Sequence, residues 1–117
     1  MAQFAFETAF KLADRIRRRE LSALELVEYF IARIERHDGE INAVVVRDFD
    51  RAVACARAAD ESRAADEPLG PLHGVPVTVK DAIDVAALPT TWGDPDLATY
   101  IATRDDPTVA RLRAAGA

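Results

Sequence analysis

Apolar residues recur at helical spacing near the start of the chain. From about Glu7 to Arg19 they line one side of a helix, which predicts an amphipathic element. The predicted apolar face comprises Phe6, Ala9, Phe10, Leu12, Ala13 and Ile16. The arginines in this stretch are Arg15 and Arg17 to Arg19, and we interpret them as a solvated face.

A second helix is predicted to begin at Ser22. Ser22 and Glu25 have the spacing of a capping box, in which each side chain bonds the backbone amide of the other residue. The helix ends near Asp38, with Gly39 predicted as a left-handed C-terminal cap. The predicted buried stripe consists of Leu24, Val27, Ile31 and Ile34, widened by Leu26 and Phe30. His37 is predicted as a last-turn cation favoured by the helix dipole. Residues 1–40 are therefore predicted to form two helices.

The pattern then changes. The run from Ala43 to Arg47 contains three consecutive valines, which is typical of a strand covered on both faces. A third helix is predicted from about Phe49 to Ala65, with a stripe of small residues at Ala52, Ala56 and Ala59. Cys55 lies in this helix, and we predict that it is a small buried apolar residue and not a nucleophile.

The stretch from Gly70 to Asp81 reads Gly-Pro-Leu-His-Gly-Val-Pro-Val-Thr-Val-Lys-Asp. Turn-forming residues open it, and valines then alternate with other residues at the period of a strand. Lys80 leaves this predicted strand at its carboxyl end, where ligands gather in open α/β sheets. The alternative is an ordinary surface lysine with its ammonium group in water. His73 is predicted to be a hydrogen-bonding turn residue.

The last part of the chain is less regular. Leu88 to Leu97 contains two prolines and a glycine and is predicted to be an irregular loop. Its Thr90, Thr91 and Trp92 are candidates for the wall of a substrate pocket, and Trp92 has the alternative of a packed loop anchor. A final helix is predicted to have Asp106 as N-cap, Pro107 in its first turn and Gly116 as C-terminal cap.

Composition narrows the classes of function. Half of the 117 residues are apolar and the formal net charge is −5, which argues against a nucleic-acid partner. No apolar run approaches the ~20 residues that span a bilayer and no signal-peptide pattern is present, so we expect a cytoplasmic location without membrane association. The single cysteine gives neither a disulfide framework nor metal-ligand spacing.

Four segments together resemble the amidase signature family, serine hydrolases that act on amide bonds. Residues 70–81 are similar to the segment that carries the catalytic lysine of that family. The other matching segments are residues 21–27 with 41–45, residues 88–93 and residues 109–117. The resemblance implies an α/β class, namely an α/β/α sandwich with a mixed central sheet and a helical N-terminus. Two predicted strands are too few for such a sheet, so residues 1–117 are interpreted as an N-terminal fragment of one larger domain, with residues 41–117 starting its α/β core.

The resemblance also implies a mechanism. The family uses a serine nucleophile, a second serine in a cis peptide, and a lysine base, which corresponds to Lys80 here. Ser22 and Ser62 are the serines of this chain, and neither lies in a glycine- and serine-rich loop, so we expect the isolated chain to be inactive. No cofactor or metal is implied, the substrate is a small-molecule amide, and a homodimer is a possible assembly. Asp81 is expected to hold the turn after Lys80.

Two alternatives remain open at this point. One is an amidotransferase subunit of the same family, which would hydrolyse glutamine and pass ammonia to a partner. The other is a non-catalytic interaction module, in which the two N-terminal helices provide an association surface.

Overall fold

The computed structural model describes residues 4–117, and its regular elements are helical. The α-helices of this described part are α1 (Ala9–Arg17), α2 (Ala23–His37), α3 (Phe49–Ala64) and α4 (Pro107–Ala114). Short 3-10 turns lie at Phe4–Phe6 and Pro95–Leu97. Within residues 4–117, no helix combines the length and the apolar character needed to cross a membrane.

Helix α1 is shorter than predicted and buries only part of the predicted apolar face. It ends at Arg17, and the chain takes a left-handed conformation at Arg19, where φ is 62°. Leu12 and Ile16 are buried, whereas Phe6 and Phe10 are 80% and 74% exposed, so their predicted place on the buried face is wrong. Phe10 projects roughly 120° to 160° around the helix from Leu12 and Ile16, and Phe6 precedes the helix.

Helix α2 begins with the predicted capping box. The Ser22 amide donates to the Glu25 carboxylate at 2.8 Å, and the Glu25 amide donates to the Ser22 hydroxyl at 3.0 Å. At its other end the prediction for Gly39 is wrong, because Gly39 is not among the residues with positive φ. The left-handed position is Asn42, with φ of 52°. The buried Asp38 carboxylate directs this turn by accepting a hydrogen bond from the backbone amide of residue 43 at 2.7 Å.

The core lies between α1, α2 and α3. Its buried members are Leu12, Ala13, Ile16, Leu21, Ala23, Leu26, Val27, Ala56 and Val75. Leu26 and Val27 are buried, and Leu24, Ile31 and Phe30 pack partly buried against them, so the predicted stripe faces the core but centres on Leu26 and Val27. Polar contacts fasten the helix ends: Asp60 of α3 accepts the first amides of α2, and Arg63 donates to the carbonyl groups of residues 16 and 21.

Helix α3 confirms one prediction and corrects another. Ala56 is buried, and Ala52 and Ala59 pack partly buried against the core, as the small-residue stripe predicts. Cys55 is exposed, so its predicted burial is wrong. Because successive residues of a helix are about 100° apart, the position next to Ala56 points away from the core.

Neither predicted strand has a strand partner within residues 4–117. Among residues 4–117 there is no regular strand, and the ladder contact present is an isolated antiparallel bridge between Pro89 and Ile101. A segment counts as a strand only when its amides and carbonyl groups pair with a neighbour, and residues 45–47 and 76–79 have no such pairing within the described part. Val75 is buried but Val77 is 48% exposed, so no face of valines is covered.

Helix α4 begins and ends as predicted. The Asp106 carboxylate accepts a hydrogen bond from the Thr108 amide at 2.8 Å, and Pro107 is the first helical residue. After Ala114 the chain reaches Gly116, which has φ of 95°. This positive φ is the left-handed conformation that glycine adopts without steric cost.

Candidate active site

The turn that leads to Lys80 is packed against the end of α4. The Leu72 amide donates to the carbonyl oxygen of Ala115, and the Gly74 amide to that of Gly116, both at 2.9 Å. A Cβ atom at Gly70 would lie 2.2 Å from the Ala115 carbonyl oxygen, so this close approach requires glycine. The tight backbone contact explains why glycine opens the motif.

The other side of the turn contacts the helical core. Gly74 has φ of 74°, and a Cβ atom there would lie 2.8 Å from the Cβ of Ala23. The His73 ring donates from Nε2 to the carbonyl oxygen of Ala59 at 2.8 Å, which confirms its prediction as a hydrogen-bonding turn residue. The turn is therefore held between α2, α3 and α4.

Lys80 is exposed and follows a segment, residues 75–79, without regular secondary structure. Its carbonyl oxygen accepts the Ile83 amide at 3.0 Å, which closes a turn directly after it. None of the ion pairs found within residues 4–117 involves its ammonium group. In this arrangement no carboxylate of the described part neutralises Lys80.

The residue after Lys80 is tied to the loop formed by residues 88–97. Asp81 accepts hydrogen bonds from the Thr91 amide at 2.9 Å and from the Thr91 hydroxyl. These contacts, the hydroxyl first, lower the pKa of the Asp81 carboxyl below its usual range. Asp81 has a structural role as expected, but its carboxylate joins this segment to the loop of residues 88–97, while the Ile83 amide closes the turn after Lys80. Sequence reasoning missed its partner Thr91, because residues ten apart outside regular structure follow no spacing rule.

The candidate wall residues line two open grooves. Thr90 and Trp92 contribute to a groove of about 360 Å³, where the Tyr100 hydroxyl donates to Asp84 at 3.3 Å. Thr91 contributes to a neighbouring groove of about 380 Å³. Trp92 is 72% exposed, so the alternative of a packed loop anchor is wrong. A role of these residues in contacting substrate remains a prediction.

Both serines of the chain belong to helices. Ser22 caps α2, and Ser62 lies inside α3, so each belongs to a helix as its sequence context predicted. Among residues 4–117, no group of three or more His, Cys, Asp or Glu side chains could hold a metal ion.

Comparison with known proteins decides the family. The family model described as Amidase matches residues 25–117, a stretch that includes the whole Lys80 motif. The chain belongs to the amidase family. This match confirms the resemblance to the amidase signature family that the sequence indicated. Amide hydrolysis is the activity of the family.

Two curated amidase relatives have almost equal identity. A glutamyl-tRNA(Gln) amidotransferase subunit from Salinispora arenicola is 44% identical over 109 residues, which is 93% of this chain and 22% of the relative. An acylamidase from Rhodococcus erythropolis is 43% identical, over 93% of this chain and 23% of the relative. The chain thus spans less than a quarter of the length of these two relatives.

Two solved structures are similar to this chain, and one of them is named as an amidase signature enzyme. A structure from a vestigial protein complex that reveals the origins of an s-triazine catabolic enzyme has a TM-score of 0.89 and 36% identity, over 94% of this chain and 24% of its own. A bacterial aryl acylamidase of the amidase signature family has a TM-score of 0.77 and 30% identity, over 83% of this chain and 20% of its own. The chain is therefore similar to one part of amidase signature enzymes.

Proposed function

We propose that this chain is the N-terminal part of an amide hydrolase in which Lys80 is the catalytic base. The observation that carries the proposal is the position of Lys80: it ends a motif inside the matched residues 25–117, and it is exposed and unpaired within residues 4–117. Its substrate class is a small-molecule amide.

Proton transfer would proceed through Lys80 in its neutral form. An isolated lysine side chain has a pKa of about 10.4, so burial by the remainder of the enzyme would have to favour the neutral amine. The amine takes a proton from a bridging serine, which takes one from the nucleophilic serine. The nucleophile then attacks the amide carbonyl, the nitrogen leaves protonated as ammonia or an amine, and water hydrolyses the acyl-enzyme.

The serines of that relay would come from protein outside this chain. Ser22 is committed to its capping box and Ser62 lies within α3, so we propose that the isolated chain is inactive. The solvent-accessible surface of the chain is 7912 Å². A compact monomer of its 12.8 kDa mass is expected to have about 6,300 Å² of accessible surface. This excess supports packing against further protein, where residues 45–47 and 76–79 would join the central sheet of an α/β/α sandwich.

An amidotransferase subunit is the second candidate. The observation in its favour is the 44% identity to the Salinispora arenicola amidotransferase subunit. The acylamidase is 43% identical, so the two candidates have nearly equal support from sequence identity. The chemistry at Lys80 would be the same, with glutamine as the amide and a partner as acceptor of ammonia. Release of ammonia from L-glutamine, compared with cleavage of 4-nitroacetanilide, distinguishes the two candidates.

Labelling with a serine-directed fluorophosphonate tests the proposal. The probe is applied to the product of the longest reading frame that contains this chain, and to its Lys80→Met variant. We expect labelling of the unaltered protein, strong loss of labelling in the variant, and no labelling of residues 1–117 alone. A folded product that is not labelled would refute the hydrolase and favour a non-catalytic interaction module.

A further inference from the structure

The segment before Lys80 does not fix its backbone. The last anchored residue before it is Val75, which is buried and donates its amide to the carbonyl oxygen of Leu72 at 3.0 Å. From residue 76 to residue 79, no amide or carbonyl group forms a backbone hydrogen bond within the described part. Within the described part, the backbone of Lys80 is therefore held from its carboxyl side.

On that side the backbone is held at once. The Asp81 carboxylate accepts from both the amide and the hydroxyl of Thr91, and the Asp81 carbonyl oxygen accepts from the Trp92 amide at 2.9 Å. The Lys80 carbonyl oxygen also accepts the Ile83 amide at 3.0 Å. Together, these hydrogen bonds hold the two peptide groups that follow the Lys80 Cα. We call the contacts of Asp81 with Thr91 and Trp92 the Asp81 clamp.

The loop is shaped to supply these donors. Trp92 and Gly93 have φ of 56° and 72°, and the Gly93 amide donates to the Thr91 hydroxyl oxygen at 3.2 Å. A left-handed conformation costs a non-glycine residue roughly 1–2 kcal/mol, and it persists where surrounding contacts determine it. The successive amides of Thr91 and Trp92 both donate to Asp81.

The Asp81 clamp works by geometry. Both carboxylate oxygens of Asp81 bond Thr91, and within residues 4–117 none forms an ion pair with Lys80. The two Thr91 hydrogen bonds, the hydroxyl's first, lower the pKa of Asp81, as expected when they favour its ionised carboxylate. Since proton transfer depends on donor and acceptor lying within hydrogen-bond reach, a displaced lysine would lose rate without loss of substrate binding.

We propose that Asp81 and Thr91 are positioning residues that hold the Lys80 backbone in the geometry needed for proton transfer. This inference rests on the proposed function, because it assigns the clamp a part in the same reaction. Neither residue takes or gives a proton in the reaction; they act through Lys80.

Asp105 provides a matched control within the same loop region. Its carboxylate accepts the Ala86 amide at 2.8 Å and the Arg113 Nε at 2.7 Å, so it also joins two segments. The Ala86 hydrogen bond, with that of Arg113, lowers the pKa of Asp105 as well. Asp105 is not adjacent to Lys80, so its loss should affect stability without displacing the lysine.

The test uses 4-nitroacetanilide and L-glutamine hydrolysis by the product of the longest reading frame that contains this chain. We expect Asp81→Ala to lower kcat by about tenfold or more, with KM changed less than about twofold. Asp81→Asn, which can still bond the Thr91 amide and hydroxyl, should restore kcat to within about threefold of the unaltered value. Asp105→Ala should lower the thermal midpoint by a similar amount but leave kcat unchanged.

Thr91 keeps the test decisive if Asp81→Ala does not fold. Thr91→Ser retains the hydroxyl and should keep kcat within about threefold of the unaltered value, while Thr91→Val should lower kcat by a larger factor than it changes KM. The inference would be overturned if Asp81→Ala and Asp105→Ala lost kcat equally, or if Asp81→Ala and Thr91→Val were fully active. It would also be overturned if Asp81→Asn were as slow as Asp81→Ala. If Lys80→Met retains hydrolysis, both the proposed function and this inference fail. If Lys80→Met is inactive while the Asp81 and Thr91 variants are active, only the positioning role fails.

Discussion

Residues 4–69 and residues 70–106 are held by different forces. The first part, which we call the helical part, contains most of the buried apolar side chains, with Ile16 and Leu26 fully enclosed. The second, the loop part, has few buried residues, such as Val75 and Ala102, and its backbone is instead bonded to carboxylates such as that of Asp81.

The difference separates stability from geometry. Apolar burial is non-directional and grows with the area removed from water, so the helical part supplies stability. A hydrogen bond weakens steeply when its angle departs from linearity, so carboxylate contacts fix the path of the backbone near Lys80. Substitutions in the helical part should therefore change unfolding, and substitutions in the Asp81 clamp should change catalysis.

The largest loss of stability is expected in the helical part. Leu26→Ala removes a fully buried side chain and should lower the free energy of unfolding by about 2–5 kcal/mol, measured by urea denaturation. Cys55→Ala is the control in the same helical part, and because Cys55 is exposed we expect a change within about 0.5 kcal/mol. Equal effects of the two variants would contradict the assignment of the core.

The turn between the two parts comes next. Gly70→Ala places a Cβ against the Ala115 carbonyl oxygen and should cost about 1–3 kcal/mol, because backbone must shift to accept it. Gly39→Ala has no atom within 4 Å of the added Cβ and should be within about 0.5 kcal/mol of neutral. Thermal unfolding of both variants checks this, and a neutral Gly70→Ala would argue against the packing of this turn on α4.

A smaller effect is expected at the start of α2. Ser22→Ala removes the acceptor of the Glu25 amide and should cost roughly 1 kcal/mol of unfolding free energy. The other serine is the control: Ser62→Ala lies inside α3 and should change stability by less than about 0.5 kcal/mol. The capping box would be unimportant if both variants unfolded at the same urea concentration.

The buried or hydrogen-bonded aspartates should have the smallest effect on the free energy of unfolding at neutral pH. In acid, their protonation should lower it. Folding lowers the pKa of Asp38 through the amide of residue 43, of Asp81 through Thr91 and of Asp105 through Ala86. A lowered folded pKa contributes stability that is present above the unfolded value of about 3.9 and lost as pH falls through the folded value. Unfolding free energy should therefore fall below about pH 4, less steeply in Asp105→Asn, and a rise in acid would contradict this.

The helices were predictable because their signals are local. The Ser22–Glu25 capping box and the Asp106–Pro107 start of α4 are encoded by residues within one turn of each other. The face of α1 that turns inward depends on its packing partner, and the chain alone did not reveal that Phe10 lies outside. Local pattern therefore predicts where a helix begins better than which side is buried.

The strand pairing and the Asp81 clamp were harder to predict from the sequence, because both depend on contacts between distant segments. Alternating valines before Lys80 indicate a chain able to pair, but pairing requires a neighbour, and residues 76–79 have none within the described part. Sequence placed Asp81 as the holder of a turn, while its bond to Thr91 joins two irregular segments. Such contacts follow from the folded loop and leave no periodic signal.

Hydrolysis by Lys80→Met tests the central claim most directly. Lys11 and Lys80 are the lysines of this chain, so Lys11→Met, which removes only an exposed ammonium group paired with Glu7 at 3.5 Å, is the matched control. In the product of the longest reading frame that contains the chain, we expect Lys80→Met to slow amide hydrolysis by about 10²- to 10⁴-fold, with an unchanged thermal midpoint, and Lys11→Met to be fully active. Equal activity of the two variants would contradict the account.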